Sequence, residues 1–147
     1  MSIQHLPRLA TTDEVDALSS LFCSARREIR LAETVCSAEE REKLLRWFRE
    51  KCEASSLWTT DGRSALVILG RNPFDIIQEV EYAVVSENLR GQRIAPSIIQ
   101  HVQSLECVRS LCAEARNERS TTMLLRCGFV ETGETRSDNP LLRWERE

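Results

Sequence analysis

The chain has 147 residues, 41% hydrophobic and 29% charged, enough for one domain spanning 1–147 around a substantial core. A net charge of −3 argues against a nucleic-acid partner and suits a cationic or neutral small substrate. No apolar run approaches the roughly 20 residues that span a bilayer, and Met1-Ser2-Ile3-Gln4-His5 lacks the order of a signal peptide, so a cytoplasmic protein with no membrane partner is expected.

Residues 3–10 predict a first strand, followed by Thr11 and Glu14 at capping-box spacing. Behind them Val15, Leu18, Leu21, Phe22, Ala25 and Ile29 recur at helical intervals. Ser37 with Glu40 repeats the cap signature ahead of Leu44, Leu45, Phe48 and Cys52, a second amphipathic helix. From Leu57 the periodicity changes, and residues 57–60 and 65–69 flank the tight-turn dipeptide Asp61-Gly62, which predicts a hairpin. Asn72-Pro73 breaks the chain, and residues 76–85 make the next strand.

Ile98, Ile99, Val102 and Leu105 form the apolar stripe of a third helix, with Pro96 in its first turn, where the missing N–H is no loss. Residues 108–113 predict a strand and 119–127 a fourth helix, ended by Gly128 in the left-handed conformation. Residues 129–135 and 141–145 predict two last strands around the turn cluster Ser137-Asp138-Asn139-Pro140. The order β-α-α-β-β-β-α-β-α-β-β predicts an α/β domain, a mixed sheet of seven strands with helices on both faces. A parallel crossover is expected around the third helix.

The six cysteines (Cys23, Cys36, Cys52, Cys107, Cys112 and Cys127) are scattered and form no Cys-x-x-Cys pair, so free thiols are expected. No metal site is expected either, because the only histidines, His5 and His101, lie far apart in sequence.

The most informative segment is residues 79–99. It predicts a strand, a loop rich in backbone donors, and then the positive end of a helix, an arrangement that attracts an anion such as phosphate. Downstream, Asn117, a helical run and Gly128-Phe129 echo it.

These residues resemble the GNAT family of acetyl-CoA-dependent N-acetyltransferases. The element order matches over nearly the whole chain, and the motifs match near 77–99 and 113–129. The family's signature, Arg or Gln followed by x-x-Gly-x-Gly or Ala, is read at Arg90-Gly91-Gln92-Arg93-Ile94-Ala95, and its Asn…Gly-Phe element at Asn117…Gly128-Phe129. The resemblance implies that acetyl-CoA, as cosubstrate, lies where the fourth and fifth strands splay apart. It implies that pantetheine amides pair with backbone near Ala83, Val84 and Val85. It also implies that the pyrophosphate is held by main-chain donors among Gly91, Gln92, Arg93, Ile94, Ala95 and Ser97. Asn117 would then sit near the pantetheine arm and the face from Ser120 to Leu124 would flank the thioester. The resemblance makes a homodimer an open option that no residue demands.

Two departures stand out. Arg93 occupies a position where the family usually has glycine. Ordinary helical or extended backbone is expected there, because Ala95 and Pro96 indicate that the helix has begun. Many family members also carry a tyrosine on the fourth helix that protonates the departing thiolate, and counting from Asn117 that slot holds Leu124. The only tyrosine, Tyr82, is expected as core or cleft wall. A thiol ionises at pKa about 8.5, so loss of the acid need not abolish turnover.

An amine acceptor must lose a proton, since an alkylammonium has pKa about 10.4. Glu79 and Glu81 are the candidate bases, Glu79 first, acting directly or through water. Simple alternation puts them on one strand face with Ala83 and Val85, and the oxyanion would meet main-chain N–H near Val85. The plainer reading of both glutamates is a solvated sheet face. His101 is expected at a helix boundary, and Trp47, Trp58 and Trp144 in packing, with Trp58 the one that could line a pocket. The Arg26-Arg27 pair is expected on a solvated helix face.

The leading expectation is an N-acetyltransferase acting on a small-molecule or peptide primary amine. A non-catalytic acyl-CoA-binding sensor is the alternative that Leu124 favours. A toxin acetylating charged tRNA is disfavoured by the acidic balance.

Overall fold

The computed structural model describes residues 5–30, 37–71 and 78–147. Its elements are β1 (Arg8–Leu9), α1 (Val15–Arg30), α2 (Ala38–Glu53), β2 (Leu57–Thr59), β3 (Ala65–Arg71), β4 (Gln78–Val85), α3 (Ile94–Ser104), β5 (Ser110–Glu114), α4 (Glu118–Arg126), β6 (Val130–Arg136) and β7 (Asn139–Glu145). This is the expected order. The Asn72-Pro73 break and the side chains of residues 26–30, the Arg26-Arg27 pair and Ile29 included, lie outside what is described.

The strands form one seven-stranded sheet in the order β1-β2-β3-β4-β5-β7-β6. Among the described residues only β4 and β5 pair in parallel, joined through α3. One face packs Val67, Leu69 and Val80 against Ile98, Ile99 and Val102 of α3 and Leu124 of α4. The other packs Leu66 and Ile68 against Leu18 and Phe22 of α1 and Phe48 of α2. Each such buried side chain contributes about 1.5–3 kcal/mol.

Local chemistry sets the helix ends. Ser37 Oγ accepts from Glu40 N–H at 3.1 Å and starts α2. Gly128, at φ 89°, closes α4. Beyond it, Phe129 N–H donates to Leu124 C=O and Gly128 N–H to Leu125 C=O, both at 3.0 Å. That is the Schellman arrangement, with Leu124 and Phe129 in the same core.

The β2–β3 hairpin forms with the tight turn expected on Asp61-Gly62, closed by Arg63 N–H donating to Thr60 C=O at 3.0 Å. Pairing begins at Thr59↔Leu66, and the positive φ, 51°, falls on Arg63. Arg63 is held by Glu14, whose buried carboxylate accepts its Nε–H at 2.7 Å. Arg8 Nη1 and Nη2 donate to the two oxygens of the same carboxylate, each at 2.7 Å, and Thr11 N–H donates to it at 3.0 Å. Glu14 therefore joins β1, the start of α1 and the hairpin. These bonds, that to Arg8 foremost, hold its carboxyl well below the usual carboxylate range.

Candidate active site

β4 and β5 pair only over Gln78↔Leu111, Glu79↔Cys112 and Val80↔Ala113. β4 continues to Val85, so its later residues leave the β5 ladder and the sheet opens on that side. The opening leads into a cleft of about 510 Å³ between β4, the loop before α3, and α4. Among the residues expected to hold a cofactor, Ala83, Val84 and Val85 line it from the strand. Arg90, Gly91, Arg93, Ile94 and Ala95 line it from the loop and helix start, and Asn117 and Ser120 from α4. Gln92, Ser97 and Leu124 do not line it.

The loop carries free donors. Among the described residues, the N–H groups of Gly91, Arg93, Ile94 and Ala95 have no hydrogen-bond partner, and the positive end of α3 lies behind them. Two other expected donors are engaged internally. Ser97 N–H bonds Arg93 C=O at 3.1 Å, and Gln92 N–H reaches Leu89 C=O at 3.4 Å. The Ser97 hydroxyl is also occupied, donating to Ile94 C=O at 2.7 Å.

Arg93 corrects the expectation of ordinary backbone: it stands at φ 60°, ψ 31°, left-handed. The helix begins at Ile94, so Arg93 is its N-cap and lies outside the helical turn that Ala95 and Pro96 mark. The conformation costs a non-glycine residue about 1–2 kcal/mol.

On α4, Asn117 is the N-cap, its Oδ1 accepting from Ser120 N–H at 2.8 Å. Leu124 is 2% exposed and belongs to the core beneath β4. It presents neither a hydroxyl nor a surface to the cleft.

The glutamates do not share a face with Ala83 and Val85. The β3–β4 register runs Leu69↔Val80 and then Ile68↔Tyr82, which leaves Glu81 as the extra residue of a β-bulge. Val80, Ala83 and Val85 therefore face α3 and α4. Tyr82 and Val84 face α1 and α2, and Glu79, beside Val80, points to that side too. Each carboxylate has a cation on it. Glu79 Oε1 lies 2.8 Å from Arg136 Nη1, and Glu81 Oε1 lies 2.5 Å from Lys51 Nζ. Arg116, at the end of β5, spans the opening from the same side: its Nη1 donates to Glu81 C=O at 3.4 Å. Its guanidinium lies 4.8 Å over the Tyr82 ring. Tyr82 itself packs edge-on against Phe22 at 4.9 Å and Trp47 at 5.9 Å, as a wall.

Trp58 is core, 8% exposed and 5.4 Å from the His101 ring, and does not line the cleft. The sequence reading missed Arg119, Met123 and Arg126, which line the cleft from α4. Helical spacing from Ser120 would have found Met123 and Arg126. Cys23, Cys52, Cys107, Cys112 and Cys127 are free thiols. No helix among the described residues is long and apolar enough to cross a membrane.

No protein-family model matches the chain, and no curated protein does. Solved structures match it. A GNAT-family acetyltransferase from Streptococcus agalactiae superposes with TM-score 0.74 at 17% identity, covering 96% of this chain and 95% of that one. The ribosomal-protein-S5-alanine acetyltransferase from Vibrio fischeri gives TM-score 0.69 at 16% identity, over 96% and 92% of the two chains. The PaiA N-acetyltransferase from Thermoplasma acidophilum, in complex with coenzyme A, gives TM-score 0.68 at 11% identity, over 99% and 100%. The chain has the GNAT fold.

Proposed function

We propose that the protein, as one domain over residues 1–147, is an N-acetyltransferase. It would move an acetyl group from acetyl-CoA to a primary amine of a small molecule or peptide by direct attack in a ternary complex. The observation that carries this reading is the end of β4–β5 pairing at Val80↔Ala113, beside a cleft edged by four unpartnered amides. The open edge of residues 83–85 offers backbone groups to an amide-bearing arm. The amides of Gly91, Arg93, Ile94 and Ala95 offer donors to a diphosphate. Acetyl-CoA, when bound, supplies the activated thioester. Glu79 is the base of choice, taking the ammonium proton through water on the α1/α2 side, and Glu81 is the second candidate. A main-chain N–H near Val85 would steady the oxyanion.

A non-catalytic acyl-CoA sensor is the second reading, supported by the burial of Leu124 and by the cation on each glutamate. Thiol release from acetyl-CoA against a panel of amines, beside calorimetric CoA binding, separates the two. Release with any amine supports the transferase, whereas binding without release across the panel favours the sensor.

A further inference from the structure

We propose that Arg93 and Arg126 form a seat for a second phosphate, the 3′-phosphate of CoA, so that the cleft selects CoA over its 3′-dephospho form. The assignment rests on the reading of the cleft as a CoA site.

The first ground is charge left over. Arg8, Arg63, Arg116, Arg136 and Arg143 each lie against a carboxylate. Arg93, Arg119 and Arg126 line the cleft, and among the described residues none of them has an ion-pair partner. Scarcity of carboxylates is not the cause, since the chain has 23 acidic residues against 20 basic. Unpaired cations around a concavity concentrate positive potential there, against the net charge of the chain.

The second ground is placement. Cys127 Sγ lies 3.9 Å from Pro96 C=O, which sets the start of α3, three residues after Arg93, against the residue that follows Arg126, and both arginines line the same cleft. The loop amides already offer enough donors for a diphosphate. A phosphate monoester carries about 1.5 to 2 negative charges, and two guanidinium forks match it. Arg119 lies seven residues earlier on α4, about 10 Å along the axis, towards Asn117 and the open strand edge, so it stands apart from the seat. Among the described residues no aromatic side chain lines the cleft, and charge is the means they offer of holding the nucleotide end.

The third ground is the backbone of Arg93. A non-glycine residue in the left-handed region is an outlier of the kind that collects at ligand clamps.

The test is calorimetric titration of CoA and of 3′-dephospho-CoA, at one ionic strength, into the wild type, Arg126→Ala and Lys43→Ala. Lys43 is an exposed cation on α2, used as a control for general charge. The wild type and Lys43→Ala are expected to favour CoA by about tenfold or more, and Arg126→Ala to bind the two alike. Equal binding by the wild type overturns the seat, as does a preference that survives in Arg126→Ala. Failure of the wild type to bind either nucleotide overturns the CoA reading along with it.

Discussion

The carboxylate of Glu81 fills the space above the α-carbon of Gly70, where a β-carbon would overlap Glu81 Oε1. Gly70 pairs with Glu79 on the neighbouring strand, just before the bulge that turns Glu81 towards Lys51. Gly70→Ala is expected to push the carboxylate off Lys51 without unfolding the sheet, at a cost of about 1 kcal/mol. A double-mutant cycle read by chemical denaturation checks this. The cost should vanish in a Glu81→Ala background, and a cost that persists there would place the clash in the backbone.

Arg93→Gly removes the left-handed penalty and a cleft cation together. Stability is expected to rise by about 1 kcal/mol while CoA affinity falls, and Arg93→Glu is expected to weaken CoA binding further by opposing the phosphates. Denaturation midpoints and calorimetry read the two effects separately. Unchanged affinity in Arg93→Glu would show that the side chain does not face the ligand.

Glu14 sets an acid limit on stability. Its folded pKa lies below the unfolded value of about 4.3, so the unfolded chain binds the proton more readily. The stabilisation is present above that unfolded value and is lost as pH falls towards the folded one. Thermal melts between about pH 5 and 3 should drop more steeply for the wild type than for Glu14→Gln. At neutral pH Glu14→Ala should cost about 3 kcal/mol, the low end for a broken buried pair, because Arg8 and Arg63 keep partial access to water.

Replacement of the proposed base separates chemistry from binding. Glu79→Gln is expected to lower kcat by about a hundredfold with little change in KM. Steady-state kinetics on an accepted amine give both numbers. If Glu81→Gln is the damaging change instead, the base is the bulge residue.

The fold was legible because its signals are local. Cap spacing at Ser37 and Glu40, helical stripes in α1 to α3, and Gly128 before Phe129 each state a nearby preference that the packing respects. The bulge at Glu81 was not legible, since no glycine or proline marks it and it exists only in the register against β3. Strict alternation therefore placed both glutamates on the wrong face. Arg93 was misread because Ala95 and Pro96 fix where the helix runs, not the backbone of the residue capping it. Glu14 read as a cap, while its bond to Arg63 crosses 49 positions of sequence with no local trace.

The most direct test of the central claim is a nitrogen-15 NMR titration of the labelled protein with CoA. The account predicts that the amides of Gly91, Arg93, Ile94 and Ala95 shift and saturate together with those of Ala83, Val84 and Val85, while Leu57, Trp58 and Thr59 stay in place. Saturable shifts elsewhere with these amides unmoved, or no saturable shift at all, would contradict it.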